Sequence, residues 1–343
     1  MKWIKATLIV LISIIALFTF CTKKLDTDAM VHQLFEQKKD ITILVTDSGL
    51  GGLSVAADVA ARLPQSGVFE NVRIVFFNSL FHNKSGYNSL DTEAEKVRIF
   101  NIALEAMKEK YRPDLLLIAC NTLSVLYDKT PFACKADFPV IGIVKTGVDL
   151  IDQQFKKSPA SKVIIFATKT TIGSNTHKNM LIERGYPEEQ IIGQACHRLA
   201  GSIERGTDSE KTIGLITKYV NAALKKVEPG TSIFASLNCT HYGYSMDQFK
   251  KIFADAGYPD ITIIDPNPRM ADFLFSPEFL HRYDKTNVSV EVVSRVSISQ
   301  KKRDSLDGLL RGVSPVTADA LQNYQYDPDL FDAQFDTTRI GKK

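Results

Sequence analysis

The chain is 343 residues long, 44% of them hydrophobic, with a formal net charge of +3. That length suits two domains, and that apolar fraction allows a sizeable core. The small net charge, with no long basic run, excludes the electrostatic footprint of a nucleic-acid binder.

At the N-terminus, Lys2 and Lys5 precede an apolar stretch from Ala6 to Phe20. These are the basic and apolar regions of a secretory signal. The stretch falls short of the roughly 20 residues of a transmembrane helix. Cys21 follows directly, as the lipidated cysteine does in a bacterial lipoprotein, although Phe20 is bulky where a small residue is usual. The expectation is an exported chain attached to a membrane through residues 1–21. A short uncleaved anchor, or an apolar start with no targeting role and a cytoplasmic location, are the other readings. Residues 22–40 read as a polar tether running into a first helix.

The first strand is predicted over Ile41–Thr46, ending at Asp47-Ser48-Gly49. Leu50-Gly51-Gly52 follows, then a helix from Leu53 to Arg62. Glycines let backbone approach a ligand closely, and a helix N-terminus favours an anion. A tight strand-to-helix turn explains the same residues. A second strand, Val72–Phe77, ends at Asn78-Ser79 and opens a loop rich in Asn, Ser and Gly. A charged, periodic helix is predicted over Thr92–Lys110. Leu115–Ala119 is a buried strand that stops at Cys120-Asn121-Thr122. Val140–Val144 reads as a short strand and Val148–Phe155 as a helix. Val163–Ala167 is a buried strand ending at Thr168.

Helices are predicted over 174–184 and 208–226, with stops at Pro187 and Pro229-Gly230. Ile233–Leu237 is the strand that leads into Asn238-Cys239-Thr240-His241. Ile261–Ile264 is another, closed by Asp265-Pro266-Asn267-Pro268. Continuous apolar runs that end abruptly in polar residues are the mark of buried parallel strands. Strand and helix alternate throughout, so the fold class is α/β, a mostly parallel sheet flanked by helices. In such folds the chemistry lies beyond the carboxyl ends of the strands. The motifs fall into two similar halves with one thiol each, predicting two pseudo-equivalent domains with the site in the cleft between them. The segment from 313 to 343 is polar and reads as a partly disordered tail.

The five cysteines divide by their neighbours. An exported protein can form disulfides, so a Cys120–Cys239 bridge, or two buried fillers, is the bland alternative. The polar residues beside both thiols argue against it. Cys134 and Cys196 lack such a setting and read as buried fillers.

Three motifs, Asp47-Ser48-Gly49-Leu50-Gly51-Gly52-Leu53-Ser54-Val55, Ala119-Cys120-Asn121-Thr122 and Asn238-Cys239-Thr240-His241-Tyr242, closely resemble the signatures of glutamate racemases, in the cofactor-independent aspartate/glutamate racemase superfamily. Thr168, Thr171 and Ser174 fit the family's next pattern. Gln194-Ala195-Cys196 with Ile203-Glu204-Arg205-Gly206 fits the one after. The resemblance runs from about residue 41 to about residue 275. It implies that domain 1 comprises 41–146 and about 266–312, with a last strand near Val288–Val293 returning to it, and that domain 2 comprises 147–265. It implies that Cys120 and Cys239 are two catalytic bases, assisted by Asp47 and His241, with Glu204 as a third helper. Ser48, Asn121, Thr122 and Thr240 then bind the carboxylates and amine of a small amino-acid substrate. Glu204 taken alone fits a solvated helix face nearly as well, and His241 a structural histidine.

Two thiols suit racemisation. The α-proton leaves one face of a tetrahedral carbon and another arrives on the opposite face. One rigidly held base cannot serve both, whereas a thiolate and a thiol on opposite walls can. No phosphate-binding lysine motif points to pyridoxal phosphate, so no cofactor is expected as electron sink. Preorganised donors must then stabilise the carbanion. No metal is expected either.

Departures from the family pattern concern the substrate. Family members usually carry an aspartate and then a Pro-Tyr-Gly after the second strand, where this chain has Asn78 to Tyr87. Lys145 stands where a glutamate is common, and His177 where a tyrosine is common. Racemisation of glutamate leads. Aspartate or another amino acid, a membrane-tethered binding protein that kept the cleft, and a Cys-His hydrolase are the alternatives. The oligomeric state, monomer or homodimer, stays open.

Overall fold

The computed structural model describes residues 26–336. The candidate signal with Cys21, the start of the tether and the last residues of the tail lie outside the described residues. Among the described residues, no helix is long and apolar enough to cross a membrane.

Two parallel sheets carry the fold. The larger has six strands in the order β10-β9-β2-β1-β3-β4. These are β1 (Asp40–Asp47), β2 (Asn71–Asn78), β3 (Leu115–Ile118), β4 (Val140–Gly142), β9 (Asn287–Ser294) and β10 (Gln325–Tyr326). The smaller has the order β6-β5-β7-β8, from β5 (Lys162–Ala167), β6 (Ile191–Ala195), β7 (Ile233–Asn238) and β8 (Ile263–Ile264). Every strand pair in both sheets is parallel, as the alternation of strand and helix predicts.

The apolar runs are buried because helices cover both faces. Ile43, Leu44 and Val45 in β1 and all four residues of β3 are fully buried. Leu44, Leu116 and Ile118 pack on one side of the larger sheet with the helix Glu93–Tyr111, and Ile43, Val45 and Leu117 on the other with Leu53–Ser66. The period-2 alternation of β-structure makes that division. Thr92 caps the first of these helices by accepting from the Glu95 amide, half of the reciprocal capping signature.

Several boundaries differ from the sequence reading, each for a local reason. The predicted strand Val140–Val144 stops at Gly142. Ile143 and Val144 belong instead to the helix Ile143–Lys157, whose buried face is Ile143, Val144, Gly147, Val148, Ile151 and Phe155, a helical spacing. The helix predicted to end at Arg62 runs through Pro64 to Ser66. Its last turn is held from outside: Thr286 N donates to Pro64 O, and His281 N to Ser66 O.

The ends are more ordered than their polarity predicts. Thr27–Gln37 is a helix that buries Leu34 and Phe35, so the predicted tether is docked over that span. The tail folds as a helix, Pro315–Gln322, and as β10. It also buries Leu330, Phe331 and Ala333. Phe331 stacks on Phe77 of β2, and Phe335 packs against Phe81. Cys196 is buried as expected, but Cys134, at the end of the short turn Pro131–Cys134, is exposed.

Candidate active site

The carboxyl ends of β1 and β3 in one sheet meet that of β7 in the other. β1 ends at Asp47, β3 leads to Cys120, and β7 leads to Cys239. Cys120 precedes the helix Asn121–Tyr127, and both thiols are reduced and buried. No disulfide joins them.

One hydrogen-bonded network connects the two thiol motifs. Ser48 Oγ lies 3.1 Å from Cys120 Sγ and 3.5 Å from Asp47 Oδ1. Asp47 Oδ2 accepts from the Gly52 amide and from the Thr240 hydroxyl, each at 2.6 Å. Thr240 stands between Cys239 and His241. His241 Nδ1 is 3.8 Å from Cys239 Sγ, and its Nε2 is 2.8 Å from Glu204 Oε1. Each thiol therefore has its own relay: Ser48 and Asp47 for Cys120, His241 and Glu204 for Cys239.

Burial sets the electrostatics, and the partners oppose it. The Cys120 thiol is pushed well above its ordinary range by burial and by the Asp47 charge, while Ser48 and the amides of Ser48 and Leu123 work the other way. Burial also works to neutralise Glu204, yet His241 and Lys302 hold its carboxyl well below the usual range. His241, despite burial, is held well above its ordinary value by Cys239 and Glu204. An ionised Glu204 can only accept, so Nε2 of His241 carries a proton and donates it. The raised value favours the imidazolium, in which Nδ1 also carries a proton and donates to a Cys239 thiolate; beside a Cys239 thiol the ring is neutral and Nδ1 accepts.

Gly51 is a glycine for steric reasons. A Cβ there would collide with Thr240 Oγ1 and stand 2.6 Å from His241 Nδ1 and 2.7 Å from the His241 backbone N. The strand-to-helix turn and the histidine relay thus share one space.

All nine residues singled out in the sequence for catalysis or binding lie in this region and are at most partly exposed. Glu204 is 5% exposed, which rules out the solvated-face reading. Thr122 Oγ1 is 2.7 Å from Thr168 Oγ1 and 3.4 Å from Thr171 Oγ1, so these threonines join the two sheets. Asn121 Oδ1 meets His177 Nε2 at 3.1 Å. Asn121 Nδ2 and both amide atoms of Asn238 are buried with no hydrogen-bond partner among the described residues, donors and acceptors suited to a ligand or water. The altered loop is ordered, with Phe81 and Tyr87 buried edge to face. Phe81, Tyr87 and Cys120 share one buried cluster, and burial and the nearby Cys120 hold the Tyr87 phenol well above its ordinary range. Among the described residues, no group of three or more His, Cys, Asp and Glu side chains is arranged to hold a metal ion.

Sequence reading missed two contributors. Asn267 Nδ2 donates to the Thr240 carbonyl at 2.8 Å and to Ser54 Oγ at 3.0 Å. Lys302 Nζ donates to Glu204 Oε2 at 2.6 Å. Neither sits in a motif, and no local pattern marks them.

The chain is 30% identical over 226 residues to the glutamate racemase of Chlorobaculum tepidum, a match that covers 66% of this chain and 75% of that protein. The chain belongs to the glutamate racemase family. As a member it is an amino-acid racemase, an isomerase. The glutamate racemase of Syntrophus aciditrophicus is also 30% identical, over 66% of this chain and 76% of its own. The crystal structure of the Campylobacter jejuni glutamate racemase superposes with a TM-score of 0.61 at 23% identity, covering 79% of this chain and 98% of that one. That of the Francisella tularensis glutamate racemase, in complex with D-glutamate, gives 0.61 at 24% identity, covering 80% and 95%. These two likenesses establish the shared fold. No protein-family model matches the chain.

His177 gives a stability test of the site. Burial lowers its pKa from the ordinary 6.5 to about 4. The folded protein therefore refuses a proton that the unfolded chain takes up below about 6.5. Stability should fall as pH drops from 6.5 to 4, by about 3 kcal/mol, and level off below. Denaturant titrations at several pH values measure this. In His177→Gln this part of the acid limb should disappear, and an unchanged limb would contradict the assignment.

Proposed function

We propose that this protein interconverts L- and D-glutamate by two-base proton transfer without a cofactor. The observation that carries the reading is the pair of separate relays, Ser48–Asp47 at Cys120 and His241–Glu204 at Cys239. Two thiols, each with its own acid–base partner, can face opposite sides of one α-carbon.

In one direction the Cys239 thiol gives its proton to His241 Nδ1, and the thiolate removes the α-proton from one face. Cys120, a thiol because of its burial, delivers its proton to the other face. In the reverse direction the roles exchange. The carbanion between these steps needs fixed donors in a dry site. Asn121 Nδ2, Asn238 Nδ2 and the hydroxyls of Ser48 and Thr122 are the groups at hand, since the Thr240 hydroxyl and the Gly52 and Leu50 amides are already given to Asp47 and Glu204. Asp47 supplies the negative charge suited to the substrate ammonium.

The substrate assignment rests on family membership and the polar lining. Aspartate is the second reading, because the loop Asn78–Tyr87 departs from the family pattern and packs against Phe335. Incubation of the protein with single L- and D-amino acids in D2O, read by NMR for α-deuterium, tests both. Glutamate should exchange in both enantiomers and far faster than alanine, since a site that hydrogen-bonds a polar group strongly rejects analogues lacking it. Equal rates for glutamate, aspartate and alanine would contradict an acidic substrate.

A further inference from the structure

The Cys239 relay does not end at Glu204. Its far oxygen, Oε2, accepts from Lys302 Nζ at 2.6 Å. Lys302 lies outside the segment that carries the racemase motifs, in the helix Gln300–Val313. Lys302, Leu306 and Leu310 are spaced four apart and share one face of that helix. Leu306 and Leu310 are buried, in the core that also holds Leu53, Val55 and Ala56 of the helix after the glycine turn. The core therefore fixes the helix face from which Lys302 reaches across to the smaller-sheet side of the molecule. The Lys302 side chain is 27% exposed, and the Glu204 side chain 7%.

Among the described residues Glu204 has three donors. Oε1 accepts from the Leu50 amide at 3.0 Å and from His241 at 2.8 Å, and Oε2 from Lys302. A buried carboxylate with one oxygen unsatisfied is costly and tends to turn or take up a proton. A protonated or rotated Glu204 no longer fixes the donor tautomer of His241, and Nδ1 then no longer reliably accepts from Cys239. Among the described residues no lysine or arginine pairs with Asp47 of the other relay, which is held by Gly52 and Thr240.

We propose that Lys302 is a positioning residue for one half of the reaction: by holding Glu204 it keeps His241 ready to take the Cys239 proton, and it leaves the Cys120 half untouched. The proposal rests on the two-thiol reading above. A lysine that merely ties the C-terminal helix to the rest of the fold would affect both halves alike.

The test uses the two enantiomers of a single diastereomer of 3-chloroglutamate, opposite at the α-carbon, with the full-length protein. A thiolate takes the α-proton, the electrons of that C–H bond form the C=C bond, and chloride leaves with the C–Cl pair. The enamine tautomerises, and water hydrolyses it to 2-oxoglutarate and ammonium. No proton has to reach the opposite face, so each enantiomer reports one thiol. The enantiomer still processed by Cys120→Ser identifies the Cys239 half.

In Lys302→Met, elimination from the Cys239-served enantiomer should fall by at least about tenfold, in line with the loss of outer-shell orienting partners elsewhere. Elimination from the other enantiomer should stay within about twofold of wild type, because the Cys120 relay shares no donor with Lys302. The ratio of the two rates is internal to one preparation, so partial unfolding cancels. Lys302→Arg, which keeps the charge and a donor, should restore the wild-type ratio. Equal loss in both halves, no loss in either, or an arginine variant as skewed as the methionine one would overturn the proposal. A wild type that eliminates from neither enantiomer and exchanges no α-proton would overturn the racemase reading, and this proposal with it.

Discussion

Replacing either thiol by serine should abolish measurable racemisation. A serine hydroxyl is far less acidic than a thiol and is not ionised to a useful degree at neutral pH. Removing a positioned acid or base typically costs about 10²–10⁴ in rate, and here each thiol serves as base in one direction and as acid in the other. Neither direction can therefore be spared. The loss should be in kcat, with substrate binding largely kept, since the binding groups are not the thiols. Fold should survive in both variants, because the exchange of sulfur for oxygen leaves a buried hydroxyl within reach of a polar partner, Ser48 for residue 120 and His241 for residue 239. Polarimetry with L- and D-glutamate measures the effect. Either variant racemising at the wild-type rate would remove that residue from the reaction.

Gly51→Ala should be nearly as damaging through geometry alone. The added methyl would meet Thr240 Oγ1, His241 Nδ1 and, at 2.7 Å, the His241 backbone N. A side chain can rotate away, but backbone cannot, so the turn after β1 and the segment after β7 must move apart. That displaces Thr240 from Asp47 and His241 from Cys239 together. A misplacement of about 1 Å at a catalytic group can cost 10²-fold in rate, and overpacking costs about 1–3 kcal/mol of stability. Gly214→Ala is the control. Gly214 lies within the helix Glu210–Leu224, and a Cβ there meets nothing within 4 Å. That variant should gain about 0.5–1 kcal/mol and keep full activity. Thermal melts and initial rates on both variants decide the matter, and a fully active Gly51→Ala would refute the shared-space argument.

Much of this site is legible in the sequence because its residues sit where strands stop. Asp47, Cys120 and Cys239 each end an apolar run and are followed at once by polar residues, a pattern that buried core does not produce. The α/β class is equally legible from the alternation of runs. What sequence hides is contact between distant segments. Lys302 lies 98 residues from Glu204, in a stretch, Gln300-Lys301-Lys302-Arg303-Asp304, that looks like any solvated helix start. Asn267 looks like a turn residue, yet it braces the Thr240 carbonyl. The C-terminal tail misleads for another reason: Leu330, Phe331 and Ala333 are isolated among polar residues, and only the sheet edge beside β9 shows what they pack against. Glu204 falls between these cases. The motif marks it, and only burial separates a relay carboxylate from a surface one.

Cys120 and Cys239 should serve opposite faces of one carbon. Elimination from the two enantiomers of 3-chloroglutamate by Cys120→Ser, Cys239→Ser and the double variant tests it most directly. Each single variant should release 2-oxoglutarate from one enantiomer only, with opposite preferences, and the double variant from neither. The resemblance to the family implies the direction to expect, Cys120 acting on the D-enantiomer and Cys239 on the L-enantiomer. Two single variants that keep the same enantiomer would contradict the account.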